Sequence, residues 1–297
     1  MIKDKSASSK LLDVLVYFVM IFMLVITLYP VLYVFASSLS GRIANESGAV
    51  TVIPVDFTLD SYKMVFTSGT VPRAFLNSVL YTVAGTAVNL IFTGTFSYVL
   101  SRKGLPLRGF YTAISIIPMY FSGGMIPTFL LVKNLGLYNS MWALILPGTI
   151  SITNMIIMRT FFQNLPDELE ESAALDGANE FVIFVKIILP LSQAIIFTIG
   201  LYYAVSHWNS WFSSMIYFKD SVKYPLQMIL RQIVIQTNDI KEAAISGEIS
   251  TLAFIGDVNV TGVKYATLSI SIIPMLIIYP FVQKHFMKGV MIGSLKG

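Results

Sequence analysis

The most chemically loaded part of this sequence is 159–190, RTFFQNLPDELEESAALDGANEFVIFVKIILP, which holds six of the chain's 16 acidic residues. The residue types suit noncovalent docking rather than catalysis. Pro166 fits the first position of a helix, and Asp167 and Glu168 fit its positive amino end. Gly177 after Asp176 supplies a left-handed turn at little cost, and Asn179 can cap a second helix carrying Glu180, Phe181, Phe184 and Ile188 toward Pro190. Leu165, Leu169, Ser172 and Ala173 then share one face of the first helix, and the small side chains at Ser172, Ala173 and Ala174 let another surface approach closely. A solvated loop accounts for the charges; a knob that fits a basic-rimmed socket accounts for the small-residue face as well. Covalent and metal chemistry have little to work with, because Cys is absent and His207 and His285 are the only histidines. No metal centre and no catalytic thiol are expected.

The elements that must hold this loop are strongly apolar. Hydrophobic residues make up 55% of the 297 positions and charged residues 12%, which leaves too little polar surface to coat a soluble globule. The net charge of +4 is what basic cytoplasmic loops give a membrane protein, so nucleic acid is not an expected partner. Apolar stretches near 14–39, 74–101, 109–132, 136–160, 188–214 and 265–283 are each long enough for a transmembrane helix. They are continuous rather than alternating, which argues against a β-barrel. The first is too long for a signal peptide and reads as an uncleaved anchor.

Lys3, Lys5 and Lys10 precede the first span, Arg102, Lys103 and Arg108 follow the second, and Lys284, Lys288 and Lys296 follow the sixth. The positive-inside rule then places both termini in the cytoplasm. The expectation is an all-α integral membrane protein of one domain, 1–297, with six spans. It has a cytoplasmic loop at about 160–189 and external segments at about 40–73 and 219–264. In the external segments Leu59, Tyr62, Lys63 and Phe66, and again Leu226, Ile229, Leu230 and Ile233, recur at helical spacing. They would pack on the outer mouth or meet an external partner. Pro30, Pro118, Pro127, Pro147 and Pro274 are expected to kink helices, with Gly123-Gly124 as a flexible point.

No Asp or Glu lies in the six stretches. A transporter driven by protons or sodium commonly needs an intramembrane carboxylate, so this chain is not expected to power itself. One histidine, His207, is too little for an intramembrane protease, and there is no glycine-rich nucleotide loop.

The run Glu171-Ser172-Ala173, then Gly177, then Ile187-x-Leu189-Pro190 resembles the EAA loop of permease subunits of bacterial ATP-binding-cassette (ABC) importers, with Ser172 where the pattern prefers Ala. The segments SRKGLP (101–106), SGGMIP (122–127) and FMKGVMIGSLKG (286–297) are similar to the maltose-type, carbohydrate-uptake branch, especially its polysaccharide and complex-oligosaccharide permeases. The resemblance implies the type I importer permease fold, a multi-pass place in the bacterial plasma membrane and a carbohydrate substrate. It implies a coupling helix in which Glu171 is a polar contact to an ATPase, Ala173 between Ser172 and Ala174 a close-packing position, and Gly177 after Asp176 the turn. Gly289, Gly293, Lys296 and Gly297 would lie in a tail reaching toward the ATPase, or in a disordered end. The implied partners are a second homologous six-span permease, two ATPase subunits and an external solute-binding protein. ATP and magnesium would reside on the ATPases, so no cofactor is expected on this chain, and it is not expected to be an enzyme. The rival readings are the same architecture moving peptides, amino acids or another solute, and a non-transporting scaffold.

Sugars are held by aromatic stacking and side-chain hydrogen bonds. Tyr203, His207, Trp208 and Asn209 in the fifth span, with Asn89, Tyr120 and Asn154 elsewhere, are therefore the substrate-path candidates. An interfacial belt explains Trp208 equally, and helix–helix hydrogen bonding explains His207 and the buried amides.

Overall fold

The computed structural model describes residues 7–246 and 259–294, with side chains described for 9–237 and 259–280. The described residues are helical, with no strand among them. A long helix α1 (Ala7–Ser38) is followed by two short ones, α2 (Arg42–Glu46) and α3 (Asp60–Thr67), and then by α4 (Thr70–Ser101). Next come α5 (Arg108–Tyr120), α6 (Met125–Asn134), α7 (Trp142–Ile145) and α8 (Ile152–Gln163). The acid-rich loop forms α9 (Glu168–Leu175) and α10 (Glu180–Ile183), which runs through a π-helical turn, Phe184–Ile188, into α11 (Leu189–Leu191). The chain ends with α12 (Gln193–Trp208), α13 (Phe212–Tyr217), α14 (Leu226–Ser246) and α15 (Val260–Ser294).

Three helices are long and apolar enough to cross a membrane without a break, within α1, α4 and α15. The stretches expected at 109–132, 136–160 and 188–214 are not straight spans. Each is a bent pair: α5 and α6 meet at 114°, α7 with its 3₁₀ turn and α8 at 55°, and α10–α11 and α12 at 83°. The causes are local. Between α5 and α6 the chain leaves helical geometry after Pro118, and Gly124 takes φ +86°, a conformation that a Cβ disfavours. Pro147 opens the 3₁₀ turn Leu146–Gly148 ahead of α8, and Pro190 precedes the break at Ser192. If each pair counts as one span, the chain has up to six.

The chain divides into two units, 1–72 with 230–272 and 73–229 with 273–297. In the first, Ser37, Ser38 and Ser40 are buried at the end of α1. Ser38 shares a hydrogen bond with Tyr62 at 2.8 Å, and the Ser40 hydroxyl accepts from the Val55 N–H at 3.0 Å. Asn259 donates to the Ser40 carbonyl at 3.1 Å, while its oxygen caps α15 by accepting from the Gly262 N–H at 2.8 Å. The expected helix near residue 60 forms, yet it buries Ser61 and Val65 and leaves Leu59 and Phe66 exposed. Helical spacing identifies a shared face without saying which face is covered. In the later segment Leu226, Ile229 and Leu230 are buried, as packing requires.

In the second unit one core gathers Tyr98, Met158, Phe162, Ile183, Ile188, Ile195, Ile199 and Tyr203. A smaller one joins Val132, Ala143 and Tyr217. The loop before α14 is tied down by polar groups: Asn77 and Tyr81 donate to the carbonyls of Val222, Lys223 and Tyr224, and the Ser78 hydroxyl accepts from the Leu226 N–H at 2.8 Å.

A side chain at Gly262 would place Cβ 2.3 Å from Ser61 Oγ and 2.4 Å from Asn259 Nδ2. Gly262→Val is expected to cost about 1–3 kcal/mol through overpacking, read as a lower melting temperature and a poorer monodisperse yield in detergent.

Candidate functional site

The acid-rich loop has the expected helix–turn–helix form. Glu168, Glu170 and Glu171 occupy the first turn of α9, where the helix dipole favours negative charge. Gly177 takes φ +83°, with its N–H donating to the Ala174 carbonyl and the Ala178 N–H donating to the Ala173 carbonyl. This closes the carboxyl end of α9 in the manner of a left-handed cap. Asn179 then starts α10 by accepting from the Val182 N–H at 2.9 Å.

What the sequence does not reveal is how the loop is held. Arg102, just past α4, pairs with Glu170, and Lys103 pairs with Asp167. Tyr98 donates to Glu180 at 2.8 Å, and the Arg102 guanidinium lies 4.4 Å from the centre of the Tyr98 ring. Ser101 accepts from two nitrogens of Arg102 at 3.0 and 2.8 Å. Burial pulls the Arg102 guanidinium below the ordinary arginine range, while the charges of Glu180 and Asp167 oppose that shift. The six acids thus fall into two sets. Asp167, Glu170 and Glu180 bind the loop to the end of α4; Glu168, Glu171 and Asp176 are exposed and form no ion pair among the described residues.

The small-residue face also divides. Ala173, with Leu165 and Ala178, packs on the chain's own core, whereas Ser172 and Ala174 are exposed. The most outward apolar groups are Leu175 at 89% exposure and Phe181 at 72%, with Leu169 also exposed. Neither Leu175 nor Phe181 stands out in the sequence, because an apolar residue in a helical pattern reads as core. The loop therefore exposes two large apolar side chains and three carboxylates, on a base held by ion pairs.

The path candidates have mostly structural surroundings. Tyr203 is 4% exposed; its hydroxyl accepts from the Ser151 N–H at 2.9 Å and shares a hydrogen bond with Thr93 at 2.7 Å. Asn89, also buried, donates to the Gly148 carbonyl at 3.2 Å. Gly148 and Ser151 flank the break between α7 and α8, so Asn89 and Tyr203 occupy backbone groups that the break frees. Asn154 is buried in the first turn of α8, its N–H donating to the Ser151 hydroxyl at 3.5 Å. His207 lies against Gly85, where a Cβ would come 2.5 Å from its Nε2, and Trp208 is buried edge-on to Phe75. Asn209, exposed after α12, donates to the Val205 carbonyl at 2.9 Å, and Tyr120, exposed, ends α5. Gly289 and Gly293 fall within α15, while Lys296 and Gly297 lie outside the described residues. No group of three or more His, Asp or Glu side chains arranged for a metal ion occurs among the described residues.

Long apolar helices, bent pairs of apolar helices and an acidic loop tied to the end of α4 together fit a multi-pass membrane protein. No protein-family model matches the chain. A polygalacturonan/rhamnogalacturonan transport system permease protein of Bacillus subtilis, YtcP, is 42% identical over 289 residues, covering 97% of this chain and 99% of that protein. Protein LplC of the same organism is 45% identical over 272 residues, covering 92% and 90%. A chain in the crystal structure of a bacterial ABC transporter involved in the import of the acidic polysaccharide alginate matches with a TM-score of 0.87 at 30% identity, over 95% of this chain and 99% of that one. The chain belongs to the carbohydrate ABC transporter permeases, integral membrane subunits that are not themselves enzymes.

Removing the partner of a largely buried charge costs more than removing an exposed one. Glu170→Gln is expected to lower stability by about 1–3 kcal/mol and to speed proteolysis between α8 and α10, whereas Glu171→Gln leaves both unchanged; thermal melting and limited proteolysis in detergent distinguish them. Tyr203→Phe leaves the Ser151 N–H unpaired and should cost about 1–3 kcal/mol, seen as a lower melting temperature in the same assay.

Proposed function

We propose that this chain forms half of the translocation pathway of an ATP-driven importer for an oligosaccharide, and that its acidic loop transmits the work of a cytoplasmic ATPase. The observation that carries the reading is likeness along the whole chain, 42% identity over 97% of its length, to a permease of a polygalacturonan/rhamnogalacturonan transport system. The other half is a second six-span permease, two ATPase subunits hold ATP and magnesium, and an external binding protein delivers the sugar. Six spans with both termini inside accord with the three unbroken helices and three bent pairs. A path closed between two such halves gives a hydrated sugar a polar wall across about 30 Å of hydrocarbon.

The anchored base of the loop supports its role. A stroke delivered to Glu171, Leu175 and Phe181 reaches α4 through Arg102, Lys103 and Tyr98 without first being lost in loop motion. The exposed carboxylates complement a basic rim, and the two apolar side chains fill a pocket inside it. In this reading Asn209 and Tyr120, which are exposed, are better placed to meet substrate than Tyr203 or Trp208, which hold helices together.

The test is co-expression with the partner permease, ATPase and binding protein, then ATP hydrolysis with oligogalacturonides and with neutral oligosaccharides. One of these glycans is expected to stimulate hydrolysis. Gly177→Val, which forces a β-branched residue into a left-handed conformation at about 1–2 kcal/mol, should cut that stimulation at least about tenfold, and Leu175→Ser with Phe181→Ser should do the same. Full stimulation in both variants removes the loop from coupling.

A further inference from the structure

Beside the loop stands a cationic pair that the coupling reading does not use. Arg108 opens α5, and Arg159 lies one turn before the end of α8. Both are half-buried, and the carboxamide of Gln163 sits between them; turned so that its oxygen faces the guanidiniums, it accepts from Arg159 Nε at 3.3 Å and from Arg108. No carboxylate pairs with either guanidinium among the described residues. Of the acids beside Arg108, Glu170 is committed to Arg102 and Asp167 to Lys103, and Glu171 forms no ion pair with either arginine. One neutral amide therefore separates two like charges. Such a pair is stable when an anion completes it.

The surroundings say which anion. Leu107, Phe110, Tyr111 and Ile157, all exposed apolar or aromatic side chains, lie next to the two arginines in sequence on α5 and α8. In a membrane protein, apolar groups exposed beside helix-end arginines face acyl chains, and the guanidiniums then lie at headgroup depth. We propose that Arg108 and Arg159, bridged by Gln163, bind the phosphate of an anionic phospholipid. The inference rests on the chain being a membrane protein, not on its coupling to an ATPase. Because Gln163 is the last residue of α8, the bound lipid holds the start of the acidic loop.

Full-length protein purified in a mild detergent is titrated with phosphatidylglycerol, phosphatidylcholine or inorganic phosphate, and retained lipid is counted by native mass spectrometry alongside the melting temperature. Phosphatidylglycerol is expected to bind and stabilise. Arg108→Gln with Arg159→Gln should weaken it about tenfold or more, while Arg159→Lys retains part of the effect. Lys186→Gln, an exposed cation on the loop, should change nothing. The double variant removes like-charge repulsion, so its melting temperature without lipid should stay near that of the native chain, and this controls for misfolding. Equal binding of phosphatidylcholine, equal loss in Lys186→Gln, unchanged binding in the double variant, or saturation by inorganic phosphate alone would each overturn the lipid site. None of these outcomes depends on ATP hydrolysis or sugar, so failure here is distinguishable from failure of the transport reading.

Discussion

Hydrocarbon offers no hydrogen bonds, so every N–H and C=O released where a spanning helix breaks must find a partner inside the protein. Much of the second unit is organised by that constraint. At the break before α8, Asn89 takes the Gly148 carbonyl, Tyr203 takes the Ser151 N–H, and the Ser151 hydroxyl in turn takes the N–H of Asn154. At the break before α12, the Ser192 N–H reaches both the Ile188 and Leu189 carbonyls. These polar side chains let spans change direction, and close helix approach at Gly85 and Gly200 brings α4 and α12 near enough to supply them.

Polar groups are divided in a similar way in the acid-rich loop. Three carboxylates hold the loop and three are left outward, so charge serves as fastening and, in the proposed coupling role, as recognition. A knob fixed before docking loses less conformational entropy when it meets its partner than one that must fold on contact. In the proposed coupling role the exposed Leu175 and Phe181 would supply apolar area and the outward carboxylates orientation.

The loop was legible in the sequence because Gly177 and Asn179 act locally, since backbone conformation and caps depend on near neighbours. Pro166, expected at the first helical position, instead stands two residues ahead of α9, whose N-cap is Asp167. Membrane character was equally plain, since it follows from composition. The bends were not, because hydropathy measures length and says nothing of direction; Pro118, Pro147 and the Gly123-Gly124 pair only marked where a bend was allowed. Burial of Ala173 on the protein's own core, and the tie from Tyr98 to Glu180 across 82 positions, depend on which distant element arrives to cover a face. Tyr203 and Asn89 were singled out as substrate-path candidates, with helix bonding the alternative for the buried amide; the backbone they serve is visible only once the break in the fourth stretch is seen.

The π-helical turn at Phe184–Ile188 gives the junction between loop and span a distinct mechanical character. A π turn contains one residue more than the α-helical ladder requires. Returning that surplus to α geometry would turn one side of the junction against the other by about 100°, the angle a single residue subtends in an α-helix. The surplus residue thus sets the phase of α11 against α10, ahead of the 83° break that leads into α12.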